Sequence, residues 1–188
     1  MKRLVALTLI LVLAVAQGCY LFEEAIVEIF PHDRIAKYYL SNLVSAPDRN
    51  SEDSRKERAE KDFSQFMQNW NNNMEEVVFD VAIDSVLYKE LKIVHKKLNA
   101  SVVVRYKQLN NFTDTIKQGF YLFKITSDNI MAHNGTEITI DSTKYLEWPT
   151  NTEKIVLQFR NISSKDIHRQ RKFIRLGANY QKSIAKKD

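Results

Sequence analysis

The spacing of apolar residues along the chain changes near residue 75. Before that point apolar residues recur every three or four positions, which is typical of one face of a helix. The strongest helical face lies in the stretch 55–72 and carries Ala59, Phe63, Phe66, Met67 and Trp70. After that point apolar and polar residues alternate, which is typical of half-buried strands. The pattern therefore predicts helices in the first part of the chain and strands in the rest.

The segment 20–46 mixes apolar and acidic residues at helical spacing, and Pro31 interrupts the pattern. This spacing predicts two short helices, or one arm kinked at Pro31, packed on the main domain. Residues 46–56 are polar after Pro47 and predict a linker or helix entry, with Ser51 or Asp53 as the N-cap.

Short β-branched and aromatic runs follow at 86–96, 100–108, 119–126, 129–133, 136–141, 154–161 and 170–176. Between two of them, Asn134-Gly135 predicts a tight two-residue hairpin. Polar turns join these runs, and no long helical pattern separates them. They therefore predict an antiparallel sandwich or barrel instead of a parallel α/β sheet.

The predicted fold is mainly β with N-terminal helices, in the form of an antiparallel immunoglobulin-like β-sandwich. Residues 155–163 resemble the strand and turn pattern of such sandwich domains. The alternative is an α+β cone of the NTF2-like class, whose first helix the stretch 63–72 resembles. That alternative predicts a deep cavity between helix 55–72 and a concave sheet. The number of strands favours the sandwich.

The first eighteen residues have the parts of a secretory signal peptide. Lys2 and Arg3 precede an apolar stretch from Leu4 to Ala16, and Gln17-Gly18 follow. The apolar stretch is shorter than the roughly 20 residues that a membrane-spanning helix needs. The sequence therefore predicts a signal peptide at 1–18, a helical arm and linker at 19–50, a helix plus antiparallel β domain at 51–176, and a basic tail at 177–188.

Cys19 follows the signal peptide directly and is the single cysteine of the chain. The segment Val15-Ala16-Gln17-Gly18-Cys19 resembles the lipobox of bacterial lipoproteins. The resemblance implies that the Cys19 thiol carries a diacylglycerol with palmitate-type chains, and that the exported protein is anchored without spanning the membrane. Tyr20 stands where an Asp often marks inner-membrane retention, which favours the outer membrane. The alternative is ordinary cleavage and secretion, which leaves a thiol without a partner in an oxidising compartment.

The net charge of +5 is concentrated at the end of the chain. Residues 165–188, here called the basic segment, hold eight Lys or Arg and two Asp, a local charge of +6. The candidate residues for contact with an anionic surface are Arg169, Arg171, Lys172, Arg175, Lys182, Lys186 and Lys187. A solvated tail is the alternative. The aromatic residues of this segment do not interleave with the charges in a binding pattern, so a nucleic-acid partner is not predicted.

No catalytic constellation is visible in the sequence, which predicts a protein that is not an enzyme and has no cofactor or metal site. The four histidines, His32, His95, His133 and His168, form no ligand motif with one another. The four Asn-x-Ser/Thr sequons, at Asn99, Asn111, Asn134 and Asn161, leave open a glycosylated, secreted eukaryotic protein.

The predicted function is that of a cell-envelope lipoprotein with a non-catalytic binding or structural domain. Its partners would be the membrane and an envelope protein or polymer. The alternative is a secreted small-molecule binder or enzyme of NTF2-like fold.

Overall fold

The computed structural model describes residues 20–45, 54–110, 112–113, 119–125, 129–162 and 173–185. Within these ranges the helical elements are α1 (Arg55–Asn72), a 3₁₀ helix (Met74–Glu76) and α2 (Gly177–Ile184). The strands are β1 (Tyr20–Phe30), β2 (Ile35–Ser45), β3 (Val81–Val94), β4 (Lys97–Leu109), β5 (Phe112–Thr113), β6 (Phe120–Lys124), β7 (Ile130–His133), β8 (Thr136–Ile140), β9 (Thr143–Pro149), β10 (Ile155–Arg160) and β11 (Ile174–Arg175).

The strands form two antiparallel sheets. The larger has the order β3-β4-β2-β1-β10-β7, with β11 paired to the end of β2, and the smaller has the order β5-β6-β9-β8. The ring of Phe159 on β10 lies 6.4 Å from that of Phe123 on β6, so the two sheets share one aromatic core. The prediction of a mainly β, antiparallel fold is confirmed, while the immunoglobulin-like topology within that class stays a prediction.

The helices predicted for 20–46 are wrong, because β1 and β2 occupy this segment as a long hairpin. The two strands pair in one register from Tyr20 opposite Ser45 to Phe30 opposite Ile35. Pro31 lies in the connecting turn, where the Arg34 N–H donates to the Pro31 carbonyl at 3.3 Å. The proline therefore marks a β-turn instead of a helix kink.

The helical spacing arises because the hairpin is covered on both faces at its open end. Phe22 packs edge-on against Phe66 of α1, with ring centroids 6.0 Å apart. Leu21, its neighbour in the strand, packs with Val44 and Ile162 in a second apolar cluster. Adjacent residues of a strand point to opposite faces of the sheet. Where both faces are buried, apolar residues therefore occur in adjacent pairs instead of alternating with polar ones, and the pairs recur at helix-like intervals.

Helix α1 confirms the prediction for 55–72. Its N-cap is Ser54 and not the predicted Ser51 or Asp53, and it forms a capping box: the Glu57 N–H donates to Ser54 Oγ at 3.3 Å, and the Ser54 N–H donates to Glu57 Oε2 at 2.9 Å. Phe63, Phe66 and Trp70 are buried on its predicted face. Since these side chains fill the interface with the sheet, they occupy the space that the NTF2-like alternative required to be a cavity.

The hairpin predicted at Asn134-Gly135 is also wrong. β7 pairs with β10 in the larger sheet, and β8 pairs with β9 in the smaller sheet. The chain therefore crosses between the sheets at Asn134-Gly135. The crossing is fixed by Trp148 of β9, which is 2 % exposed and donates from Nε1 to Asn134 Oδ1 at 2.8 Å.

The segment 177–188 was predicted as a basic tail, but residues 177–184 form helix α2. Leu176 before it is fully buried, and Tyr180 packs against the main core. Gly177 lies so close to β4 that a Cβ would be 2.8 Å from the Lys96 carbonyl oxygen. The prediction of a tail is wrong for residues 177–184, because it rests on the charge of the segment and not on these apolar contacts.

Candidate functional site

The open end of the β1–β2 hairpin, formed by Tyr20, Ser45 and Ile174, is here called the anchor end. Cys19 lies outside the described residues, and Tyr20 directly after it is the first residue of β1. The Asn69 side-chain amide donates to the Tyr20 hydroxyl at 2.8 Å, and the Tyr20 ring packs edge-on against Phe66 at 5.3 Å. Partial burial raises the pKa of Tyr20. The residue after Cys19 is therefore part of the folded domain.

Strand β11, in the described part of the basic segment, lies at this same end of the domain. β11 pairs with β2 so that Ile174 lies opposite Ser45, while Ser45 lies opposite Tyr20 on its other side. Neighbouring strands are about 4.8 Å apart, so Ile174 lies about 10 Å from Tyr20. Of the seven predicted basic contacts, the structure describes Arg175 on β11 and Lys182 on α2. The other five, Arg169, Arg171, Lys172, Lys186 and Lys187, lie outside the described residues.

A buried polar cluster, which sequence reasoning missed, stabilises the hairpin near the anchor end. Glu23 is 2 % exposed and accepts from Asn42 Nδ2 at 2.7 Å and from Lys97 Nζ at 3.3 Å. Asn42 has a φ of 53° and donates its N–H to Asn99 Oδ1 at 2.9 Å. These contacts join β1, β2 and β4 at an irregularity in the sheet. Their role is structural, because a buried carboxylate needs such partners.

A second polar contact joins α1 to β2. The Ser45 hydroxyl donates to Asp62 Oδ2, and Arg58 Nε donates to Ser45 Oγ at 3.3 Å. Asp62 is buried, so the helix is held against the anchor end by hydrogen bonds as well as by its aromatic face.

A cleft of about 400 Å³, here called the turn cleft, lies at the opposite end of the hairpin. The described residues that line it are Pro31, Arg34, Tyr106, Lys107, Gln108, Leu109, Phe112 and Tyr121. The Tyr106 N–H donates to the Arg34 carbonyl at 2.9 Å, which fixes the β1–β2 turn against β4. Burial raises the pKa of Tyr106 to about 12, with Tyr121 adding to the rise and Arg34 opposing it. No local pattern in the sequence indicates that these residues meet.

The histidines do not assemble a metal site in the described part of the chain, where no three His, Cys, Asp or Glu side chains form a possible ligand set. His133 contacts Glu137, with Nε2 3.3 Å from Oε1, and its Nδ1 lies 3.1 Å from the Gly135 carbonyl. His168 lies outside the described residues. None of the helices described is long and apolar enough to cross a membrane.

Three sequon asparagines use their side chains in structural hydrogen bonds, and Asn111 lies outside the described residues. Asn134 Nδ2 donates to the Lys154 carbonyl at 2.8 Å, and Asn161 Nδ2 donates to the Phe22 carbonyl at 3.0 Å. Asn99 accepts the backbone bond described above. The backbone partners of these amides explain the abundance of asparagine at strand ends without glycans.

No family model matches the chain, and neither a curated protein nor a solved structure does so. Only the residues of the chain and their geometry therefore bear on its function.

Proposed function

We propose that this chain is an exported lipoprotein, anchored through Cys19, whose β domain lies directly against the membrane and binds an envelope partner without catalysing a reaction. The observation that carries the proposal is that β1 begins at Tyr20, the residue after the lipobox cysteine. Tyr20 is held by Asn69 and Phe66, so a lipid on Cys19 would place the anchor end within one residue of the bilayer.

The position of the basic segment supports this orientation. β11 places Arg175 on the strand next to β2 at the anchor end, and Arg171 and Lys172 precede Phe173 in the sequence. Each Lys or Arg near an anionic membrane surface contributes about 1 kcal/mol to binding. A lipid anchor combined with a basic patch is the two-signal arrangement that gives stable attachment. We expect the basic segment to contact lipid headgroups beside the anchor.

Strand β3 supports a protein as the envelope partner. It forms one edge of the larger sheet, and among the described strands only β4 pairs with it. Val86, Leu87 and Tyr88 are consecutive on it and each is more than 40 % exposed. Consecutive exposed apolar residues on a sheet edge are typical of surfaces that bind another polypeptide.

Replacing Cys19 with Ser should move the protein from the membrane to the soluble fraction of the envelope, because serine cannot carry the thioether-linked lipid. The measurement is fractionation of cells that express either form, followed by detection of the chain in each fraction. Gly18→Ala is the matched control, since it keeps a small residue before the cysteine and should stay in the membrane fraction. Equal membrane retention of Cys19→Ser and the wild type would contradict the lipid anchor.

Neutralising three basic residues that precede β11 in the sequence should weaken binding to anionic vesicles. Mature Cys19→Ser protein with Arg169, Arg171 and Lys172 changed to Gln should bind phosphatidylglycerol vesicles about 100-fold more weakly, from about 1 kcal/mol for each charge.

The charge-matched control for this vesicle experiment changes three residues at the other end of the hairpin. The Gln substitutions at Lys37, Arg105 and Lys154 should leave vesicle binding nearly unchanged, and higher salt should weaken binding only where the basic segment is intact. Equal losses in both triple variants would show that net charge, and not the orientation of the anchor end, governs the attachment.

A further inference from the structure

The geometry points to the turn cleft as a binding site for a small organic anion, in which one carboxylate or phosphate group is attached to a flat apolar body. The site lies at the closed end of the β1–β2 hairpin, about 30 Å from the anchor end along β1 at the usual rise per strand residue. On the proposed membrane orientation it faces away from the bilayer and opens to solvent.

The charge of the cleft selects for an anion. Arg34 and Lys107 are exposed cations that line it, and none of the lining residues that the structure describes is an Asp or Glu. Across the described part of the chain, neither side chain has a carboxylate partner. A guanidinium and an ammonium that face one cleft without a counter-charge attract a carboxylate or phosphate group.

The backbone conformation of Arg34 fixes the position of this residue at the cleft. Its φ is 53°, in the left-handed region where Gly or Asn is the less strained choice. The turn is not free to relax, because the Tyr106 N–H holds the Arg34 carbonyl and the Pro31 carbonyl accepts from the Arg34 N–H. The backbone that carries the Arg34 side chain at the cleft is therefore held in place by two hydrogen bonds.

The remaining lining supplies neutral donors and a flat apolar surface. Because the pKa of Tyr106 is about 12, its hydroxyl stays protonated at neutral pH and can donate to an anion. Tyr121 and Phe112 provide ring surfaces, and Leu109 and Pro31 provide aliphatic surface. The volume of about 400 Å³ suits a small molecule with a single ring.

The experiment is isothermal titration of mature Cys19→Ser protein with phenyl phosphate, benzoate and phenol. This soluble form separates the test from lipid attachment, so either claim can fail alone. We expect saturable binding of phenyl phosphate or benzoate, with the stronger of the two identifying the preferred anionic group, and no measurable binding of phenol. Inorganic phosphate, which lacks the ring, should bind more weakly than phenyl phosphate.

Variants locate the binding in the cleft. Arg34→Gln and Lys107→Gln should each weaken binding at least about 10-fold, from the value of a charge-assisted hydrogen bond. Lys92→Gln, which removes a charge from β3, should bind as the wild type does. Thermal unfolding of every variant checks that the fold is kept. Wild-type affinity in both cleft variants, equal binding of phenol, or no saturable binding of either anion would overturn the proposal.

Discussion

Gly135→Ala is expected to destabilise the domain by about 3 kcal/mol, which is large for the addition of one methyl group. A Cβ at Gly135 would lie 2.5 Å from Trp148 Cε2 and 2.7 Å from Cζ2. Contacts this short force either the ring or the backbone to move. The crossing between the two sheets depends on the Trp148 ring and on the backbone at Gly135. The lost stability therefore comes from poorer packing of one sheet against the other.

The indole of Trp148 has little freedom to move away. Its Nε1 donates to Asn134 Oδ1, and the same oxygen accepts from the Val156 N–H at 2.8 Å. Its ring also packs against Phe112, with centroids 6.0 Å apart. Moving the indole therefore breaks its hydrogen bond to Asn134 Oδ1, the oxygen that also accepts from β10. It also opens space in a close-packed core.

The measurement is urea unfolding of Gly135→Ala, Trp148→Leu and the double variant. Since a smaller side chain at Trp148 removes the collision, the double variant should be about as stable as Trp148→Leu alone, a coupling of about 3 kcal/mol. Gly119→Ala is the matched control: its φ is 80°, but no atom of the residues that the structure describes lies within 4 Å of an added Cβ. That control should lose only about 1 kcal/mol, from backbone strain. Additive losses in the double variant would contradict the collision.

Glu23→Ala is expected to cost about 3 kcal/mol, whereas Glu24→Ala should cost less than about 1 kcal/mol. Removing the Glu23 carboxylate leaves the buried Asn42 amide without its acceptor at 2.7 Å and removes the partner of Lys97. Glu24 instead pairs with Arg160 at 2.8 Å on the surface, where solvent replaces the lost contact. The two residues are adjacent and chemically identical, so burial alone separates their effects.

Chemical denaturation of the two variants measures this difference directly. Glu23→Gln is the second variant, because its amide oxygen still accepts from Asn42 and should recover part of the loss. If Glu23→Ala and Glu24→Ala unfolded at the same urea concentration, the buried cluster would contribute nothing beyond a surface ion pair.

The sequence predicted the elements whose burial follows a single face. Helix α1 buries one stripe, and β10 keeps enough alternation to be recognised as a strand. The hairpin β1–β2 was mistaken for helices because both of its faces are covered near Tyr20. The segment 31–34 contains Pro31 and Asp33, two residue types that favour turns. Such a turn between two apolar runs fits a hairpin as well as a helix kink.

The candidate sites also differ in whether a local sequence pattern reveals them. Cys19 and the basic residues were identified from local sequence, because a lipobox and a charge cluster are contiguous. That the basic segment returns beside Tyr20 follows from the pairing of Ile174 with Ser45, a long-range contact that no local pattern contains. The turn cleft was missed for the same reason, since Arg34, Tyr106 and Tyr121 come from separate parts of the chain.

The most direct test of the central claim is the intact mass of the mature protein isolated from its native membrane, with sequencing of its N-terminal peptide. The lipoprotein proposal predicts a chain that begins at Cys19 and carries two or three acyl chains. An unmodified Cys19 or a chain that begins at Gln17, above all with sugar on Asn99 or Asn134, would contradict it and identify a secreted, soluble protein.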